Sequence, residues 1–136
     1  MFKYKLIILM LVALYCILQV SEVFGSDDSE EEWNLLNKTS PDVINAAKDG
    51  IREYEISNNV THKFAILNVI NAMYHWESSS MVEYIIVAKF KETNCPRDSD
   101  VDANSCNILE DKDSKLCWIH KKEPYHASGC VTVFCK

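Results

Sequence analysis

Apolar and small side chains recur at helical spacing between residues 40 and 59. They stand three or four positions apart, at Val43, Ala46, Ala47, Gly50, Ile51 and Tyr54. This spacing places them on one face of a helix, which we predict to begin at Ser40 or Pro41 and to end at the asparagine pair, Asn58 and Asn59. Gly50 within this stripe costs about 1 kcal/mol relative to alanine. We therefore expect the helix to approach a sheet closely there.

Two long apolar segments follow the helix, and both are typical of β-strands. They cover residues 61–76 and 81–90, and a run of serines lies between them. Their β-branched and aromatic residues favour strands, so the serine segment is predicted to be a hairpin turn. Because this turn contains no Gly, Asn or Pro, we expect serine hydroxyls to bond the local backbone and the backbone to be strained.

The last part of the chain predicts a loop and a second hairpin. Residues 94–111 are acidic and rich in turn formers, and Cys95 and Cys106 stand near the two ends of that segment. Two shorter strands follow, at residues 116–119 and 131–134. One helix and four antiparallel strands make an α+β fold, in which the helix covers one face of the sheet.

The N-terminus has the pattern of a secretory signal. Lys3 and Lys5 precede an apolar run, and Val23 and Gly25 are small residues suited to cleavage. A membrane-spanning helix fits less well, because the run has about 15 residues and about 20 are needed. We predict a signal peptide at residues 1–25, an acidic segment at 26–32 and one domain at 33–136, in a secreted, extracellular protein.

The charge of the chain limits its partners. The formal net charge is −6, and residues 26–32 read SDDSEEE. Such a cluster repels itself and favours an extended, solvated segment. A chain that is acidic and has no basic stripe is a poor candidate for nucleic acid or anionic membranes, so we predict neither as a partner of the mature protein.

Cysteine usage agrees with export. Cys16 lies in the predicted signal, and the remaining cysteines are Cys95, Cys106, Cys117, Cys130 and Cys135. In an oxidising compartment most of these pair, and an odd number leaves one over. By spacing alone, Cys117 can pair with either Cys130 or Cys135. The triplets NKT at Asn37 and NVT at Asn59 are compatible with glycosylation.

The histidines do not indicate an enzyme or a metal site. They stand apart in the sequence, at His62, His75, His120 and His126. None forms a Cys–His or Ser–His–Asp pattern typical of a nucleophile. His120 and His126 stand near two cysteines, but disulfide formation is the stronger expectation for those cysteines. We predict no catalytic activity, no metal and no cofactor.

Several patterns together resemble the secreted cystatins, which inhibit papain-like cysteine proteases. The helix string AAKDGIREYE, the ungapped spacing from Tyr54 to Ala72, and EYIIVAKF followed by TNC resemble cystatin segments. The resemblance extends from Trp33 to Cys135. It implies a long helix packed on a four- to five-stranded antiparallel sheet. It also implies the disulfides Cys95–Cys106 and Cys117–Cys135, with Cys130 left as a buried free thiol or an intermolecular link.

In that family, three segments enter the protease cleft together as a non-covalent wedge. They are an N-terminal strand with a glycine hinge, a first hairpin of pattern Q-x-V-x-G, and a second hairpin carrying Pro-Trp. Here Glu31 and Glu32 stand where the glycine is expected, and the first hairpin is about two residues longer and lacks the motif. The protease-contact candidates are His75, Trp76, Glu77, Ser78, Ser79, Ser80, Met81, Pro124 and Tyr125.

The resemblance implies a reversible inhibitor of papain-like cysteine proteases, and the motif losses imply a weak one. The alternative is a non-inhibitory extracellular binding protein of the same fold with a different partner, since function depends on the site rather than on the fold. Some cystatins also bind legumain-type proteases through an asparagine after the helix. Asn59 stands there, but a glycan on its sequon would obstruct that approach.

Overall fold

The computed structural model describes residues 2–21, 32–124 and 130–136. It divides the chain into two units, Met1–Glu31 and Glu32–Lys136. The first unit contains helix α1, Phe2–Ser21, within the segment predicted as a signal peptide. Among the described residues, no helix combines the length and the apolar character needed to cross a membrane.

The second unit consists of one helix and an antiparallel sheet. Its elements are β1 (Asn34–Leu35), α2 (Pro41–Ser57), β2 (His62–Ser78), β3 (Met81–Pro96), a 3-10 turn (Ala103–Ser105), β4 (Lys115–Pro124) and β5 (Cys130–Cys135). The strands lie in the order β1-β2-β3-β4-β5. The predicted α+β fold is confirmed, with α2 packed against the sheet.

Helix α2 has the boundaries that its sequence predicts. Ser40 is the N-cap, and its hydroxyl accepts a hydrogen bond from the Val43 amide at 3.4 Å. Pro41 occupies the first turn, where a missing amide proton costs nothing. At the other end the Asn58 amide donates to the Tyr54 carbonyl at 3.0 Å. The predicted apolar stripe is buried, with Tyr54 at its edge.

Gly50 lies where α2 passes closest to β4. A Cβ placed on Gly50 would lie 2.5 Å from Cγ1 of Ile119, which itself is almost fully buried. Real side chains do not approach so closely, so the position excludes even alanine unless Ile119 moves. The expected close approach of helix and sheet is confirmed, and it explains a glycine in the middle of a helix.

The two faces of the sheet have different compositions. Successive side chains of a strand point to opposite faces, and the face towards α2 carries core residues, among them Ala72, Ile86 and Ile119. The opposite face, which we call the outer face, carries His75 and Glu83 together with apolar residues such as Ile85 and Trp118. The hydrophobic core therefore lies between α2 and the sheet.

Strands β3 and β4 extend beyond the predicted segments, and β1 was predicted only by the family resemblance, which implies an N-terminal strand and up to five strands. Strand β1 consists of two residues, and the side chain of Leu35 is 79% exposed. A strand so short and so exposed has no alternating pattern that sequence reasoning could detect. Strand β4 continues through polar residues to Pro124 because it pairs along its length with β3.

Two disulfides join the residues that the family resemblance implies. Cys95 is bonded to Cys106, which closes the loop between β3 and β4, and Cys117 is bonded to Cys135 between β4 and β5. No described cysteine has a free thiol. A free thiol at Cys130, one of the two expected alternatives, is therefore wrong, because Cys130 is disulfide-bonded.

Candidate functional site

The strand register collects most of the protease-contact candidates at one end of the sheet. Ser78 pairs with Met81 across the first hairpin, and Met81 pairs with Pro124 of β4. We call this end the rim and define it as Trp76, Glu77, Ser78, Ser79, Ser80, Met81 and Pro124. Tyr125, the remaining candidate of the second hairpin, lies outside the described residues.

The neighbours His75 and Trp76 differ in exposure. The Trp76 side chain is 52% exposed, whereas His75 is 6% exposed. His75 therefore does not present its ring to a partner, although the sequence analysis included it among the contact candidates. The physical reason is that its imidazole belongs to a hydrogen-bonded cluster on the outer face. Trp76 is the only large hydrophobic side chain of the rim that is more than half exposed.

The serine turn is closed by its own hydroxyls. The Ser78 hydroxyl accepts a hydrogen bond from the Ser80 amide at 3.3 Å and lies 3.3 Å from the Ser80 hydroxyl. The expectation that serine hydroxyls satisfy the local backbone agrees with this geometry. The expected backbone strain is absent, because Asn59 is the only non-glycine residue with positive φ in the described ranges. A register shift between Trp76 and Ser78 marks a β-bulge below the turn.

Two nearly buried lysines hold carboxylates at or beside the rim. Lys122 Nζ lies 3.1 Å from Oε1 of Glu77 in the rim, and Lys121 Nζ lies 2.8 Å from Oδ2 of Asp49 in α2. The lysine side chains are only 7% and 11% exposed. Charges this far removed from water require partners, and the partners tie β4 to the first hairpin on one side and to the helix on the other.

His75, Glu83 and His120 form a hydrogen-bonded cluster on the outer face, close to the rim. His75 Nε2 lies 2.8 Å from Glu83 Oε2, and His120 Nε2 contacts the other oxygen, Oε1. Burial alone would raise the pKa of the Glu83 carboxyl. The hydrogen bonds from His120 and His75, together with the nearby charge of Lys122, outweigh burial and hold that pKa below its usual value. Glu83 is therefore a carboxylate at neutral pH.

The N-terminal segment reaches the same end of the sheet. Asn34 pairs with Tyr74 and Leu35 with Met73, so the preceding residue, Trp33, comes beside His75. The Trp33 indole and the His75 imidazole have centroids 4.4 Å apart with planes tilted by 55°. Glu32, one of the two residues that replace the expected glycine, is exposed, and Glu31 lies outside the described residues.

Sequence reasoning did not find this cluster or the two lysine pairs. His75, Glu83 and His120 belong to three different strands, and only the register brings them together. One usable signal was present: polar residues at alternate positions within otherwise apolar strands indicate a face that is not part of the core. Within the described ranges, no group of His, Cys, Asp or Glu side chains could hold a metal ion.

Both sequon asparagines are exposed. The Asn37 side-chain oxygen accepts hydrogen bonds from the amide and hydroxyl of Thr39, at 3.0 and 2.8 Å. Asn59 has φ of 48°, and its side-chain oxygen accepts from Arg97 Nη1 at 3.1 Å. Asn59 lies just before His62, the first residue of β2, whereas the serine turn follows the last residue of that strand. The two therefore lie at opposite ends of the sheet.

Comparison with known proteins assigns the fold. Residues 34–125 match the family model described as the cystatin domain. The crystal structure of Al-CPI superposes with a TM-score of 0.63 at 15% identity, over 77% of this chain and 97% of that one. The crystal structure of dimeric human cystatin F gives a TM-score of 0.63 at 12% identity, over 83% of this chain and 92% of that one.

A more distant similarity is to a chain in the inhibitory complex of human meprin beta with mouse fetuin-B. The TM-score is 0.56 at 18% identity, and the match covers 79% of this chain but 35% of that chain. A comparison with curated proteins finds no sequence that matches. Identities this low carry the fold and not the activity. Because the family model covers more than half of its residues, this chain belongs to the cystatin family.

Proposed function

We propose that this chain is a secreted, reversible inhibitor of papain-like cysteine proteases that binds through the rim and has weak affinity. The observation that carries the proposal is the common position of the first hairpin turn and Pro124, joined through the pairing of both with Met81. Trp33 and β1 bring the N-terminal segment to the same end. Three separate parts of the chain are thus available to one cleft, with no catalytic group of their own.

Trp76 is the proposed anchor of the contact. Its indole is half exposed at the end of a paired strand, so little side-chain entropy is lost when a partner covers it. Tryptophan is enriched among the residues that carry most of the binding energy in interfaces. Tyr125 is proposed as a second contact, since it follows Pro124 directly and offers a flat ring with a polar end.

The chemistry of the rim supports weak affinity. A glycine would allow close approach of the backbone to an enzyme, but the rim contains none. Instead it carries the Glu77 carboxylate, and Glu32 stands in the N-terminal segment. A partner that buried Glu32 without pairing it would lose the hydration of a charge. Glu77 is already paired with Lys122, so this pair can be buried at lower cost.

The same observations favour a second candidate function, a non-inhibitory cystatin-fold protein that binds another extracellular partner. The fold does not fix the target, because activity depends on the residues of the site. One of the structures with a related fold belongs to an inhibitory complex of human meprin beta with mouse fetuin-B. That complex concerns those two proteins and not this chain. In this second function the serine turn and Trp76 would recognise a surface other than a papain-like cleft.

We also propose that the mature protein begins after Gly25 and carries glycans on Asn37 and Asn59. Both asparagines are exposed, and a glycan at Asn59 would lie far from the serine turn. Glycosylation is therefore compatible with binding through the rim, while it would obstruct a legumain-type contact centred on Asn59. Intact-mass measurement of the exported protein, before and after glycan removal, tests the cleavage site and both glycans.

The function is tested by titrating the exported, disulfide-formed protein against a panel of papain-like and legumain-like proteases. We expect weak or no inhibition of papain, and measurable inhibition of at least one other papain-like enzyme. For that enzyme, Trp76→Ala should weaken binding by about 30-fold, as for a typical interface hot spot. Phe134→Ala is the matched control, because Phe134 is 60% exposed on β5, away from the rim.

Three outcomes test the affinity, the binding surface and the choice between the two candidate functions. Tight, stoichiometric inhibition of papain would contradict the proposed weak affinity. Equal losses from Trp76→Ala and Phe134→Ala would contradict binding through the rim. Absence of inhibition across the whole panel would reject the inhibitor and leave the binding protein with a different partner.

A further inference from the structure

We infer that Trp33 is a positioning residue: by packing on His75 it holds β1 and the residues next to it against the edge of β2, beside the first hairpin. The packing concerns the isolated protein and is independent of any partner. Its consequence for binding rests on the proposed function.

The backbone alone holds this segment weakly. Strand β1 contributes two paired residues, Asn34 and Leu35, and the Leu36 amide donates one further hydrogen bond to the Ala72 carbonyl at 2.9 Å. The Leu35 side chain is 79% exposed and supplies little burial. So short an edge strand is expected to open readily. The Trp33 ring, 4.4 Å from the His75 ring, is the side-chain contact that extends the attachment towards the rim.

His75 is a rigid surface for this contact. It is 6% exposed, and its Nε2 atom is fixed by the Glu83 carboxylate at 2.8 Å. Glu83 is in turn held from the other side by His120. A ring whose plane is set by a buried carboxylate cannot turn to follow Trp33, so the indole must adapt to it. Aromatic pairs at such centroid distances are stabilising beyond their burial.

The position of Trp33 in the chain determines which residues the contact with His75 holds in place. It is followed by the paired residues of β1 and preceded by Glu32, the exposed end of the acidic stretch. Since β1 runs antiparallel to β2, Trp33 lies beside His75, the residue that precedes Trp76 in β2. In related inhibitors a glycine gives the N-terminal strand freedom at the enzyme surface. Here an aromatic contact holds Trp33 and β1 against β2 instead.

Backbone amide exchange tests the packing without a partner. The full chain is exported, and exchange of the amides of Asn34 and Leu36, which face β2, is compared between wild type, Trp33→Ala and His75→Ala. We expect these amides of each variant to exchange about threefold to tenfold faster, because that ratio corresponds to the stabilisation from one aromatic contact. The double variant should exchange no faster than the singles, because both remove the same contact.

Trp118→Ala is the matched control. Trp118 on β4 also packs against a ring, that of Phe134 on β5, with centroids 5.9 Å apart. Because this pair lies away from β1, removing Trp118 should leave the exchange of the Asn34 and Leu36 amides unchanged. The melting temperature of each variant shows that any change is local, and His75→Gln replaces His75→Ala if the latter does not fold. Unchanged exchange in Trp33→Ala, or additive effects in the double variant, would overturn the inference.

A second measurement addresses the consequence for binding. Against any papain-like protease that wild type inhibits, Trp33→Ala should lower the affinity by about the same factor by which it speeds amide exchange. Faster exchange with unchanged affinity would show that Trp33 packs but does not position a contact segment, which overturns the positioning role. If wild type inhibits no protease, the proposed function fails, and the exchange result alone decides whether Trp33 holds the segment.

Discussion

The two ends of the sheet differ in how far their charged contacts are exposed to solvent. At the end opposite the rim, the Cys95–Cys106 disulfide closes the loop after β3, and exposed ion pairs, such as Lys48 with Asp102 and Arg97 with Asp98, lie around that loop. At the rim, the corresponding contacts lie among more deeply buried side chains: Lys122 with Glu77, and Glu83 with two histidines.

This difference predicts how the charged contacts at each end respond to solution conditions. Ion pairs and charged hydrogen bonds respond to pH, and the exposed ones also respond to salt, which screens them. Salt should therefore weaken the exposed pairs at the loop end, whereas the buried contacts at the rim should respond mainly to pH. Substitutions that weaken one end and leave the other unchanged would test this separation.

Removing the loop disulfide should have the largest effect. The double variant Cys95→Ala/Cys106→Ala is expected to lower the free energy of unfolding by about 3 kcal/mol, since the cross-link no longer restricts the unfolded chain. Chemical denaturation of the oxidised proteins measures the change. Amide exchange should quicken in residues 97–104 and stay unchanged around Trp76. Faster exchange at both ends would contradict the separation.

Replacing the central carboxylate of the outer-face cluster should have a smaller, pH-dependent effect. Glu83→Gln is expected to lower the free energy of unfolding by about 2 kcal/mol at neutral pH, because two hydrogen bonds to a charged group are weakened. The pKa of Glu83 is lowered in the folded protein, so its contribution is present above the usual carboxyl value of 4.5 and is lost as pH falls below it.

Denaturation at several pH values measures this dependence. The difference between wild type and Glu83→Gln should shrink as the pH falls from 4.5 towards the lowered folded pKa. The control is Glu110→Gln, whose carboxylate is 88% exposed in the loop region and should give no measurable change. A difference that stayed constant with pH would show that the loss comes from packing and not from the charge.

A substitution in the middle of α2, between the two ends of the sheet, should have the smallest effect and should affect both ends equally. Gly50→Ala gains about 1 kcal/mol of helix propensity but places Cβ against Ile119, and overpacking of this kind costs about 1 to 3 kcal/mol. We expect a net loss of about 1 kcal/mol, measured by denaturation. Adding Ile119→Val should recover part of it. Glu53→Ala, on the exposed face of α2, is the control and should not destabilise.

Local sequence patterns predicted the helix and the hairpins because their determinants are local. The Ser40 cap, the apolar stripe and the tight position of Gly50 all follow from spacing within one helix. The pairings Cys95–Cys106 and Cys117–Cys135 came from family resemblance, since spacing alone left Cys130 as an alternative partner of Cys117.

The interactions around the rim could not be predicted in the same way. Glu83 meets His75 across the first hairpin and His120 across the next strand pair, and His120 is 37 residues away in the sequence. Strand β1 was implied only by the family resemblance, because two residues carry no periodicity. The serine turn was expected to be strained, but a register shift below it relieves the need for positive φ.

The β-bulge between Trp76 and Ser78 has a consequence for the hairpin tip. A bulge takes up an odd residue, so the strand pairing nearer the core is insulated from the number of residues beyond it. Insertions or deletions among the serines can therefore be accommodated while Tyr74 still faces Tyr84. The tip of this hairpin can therefore vary in length as well as in composition while the strands that support it stay unaltered.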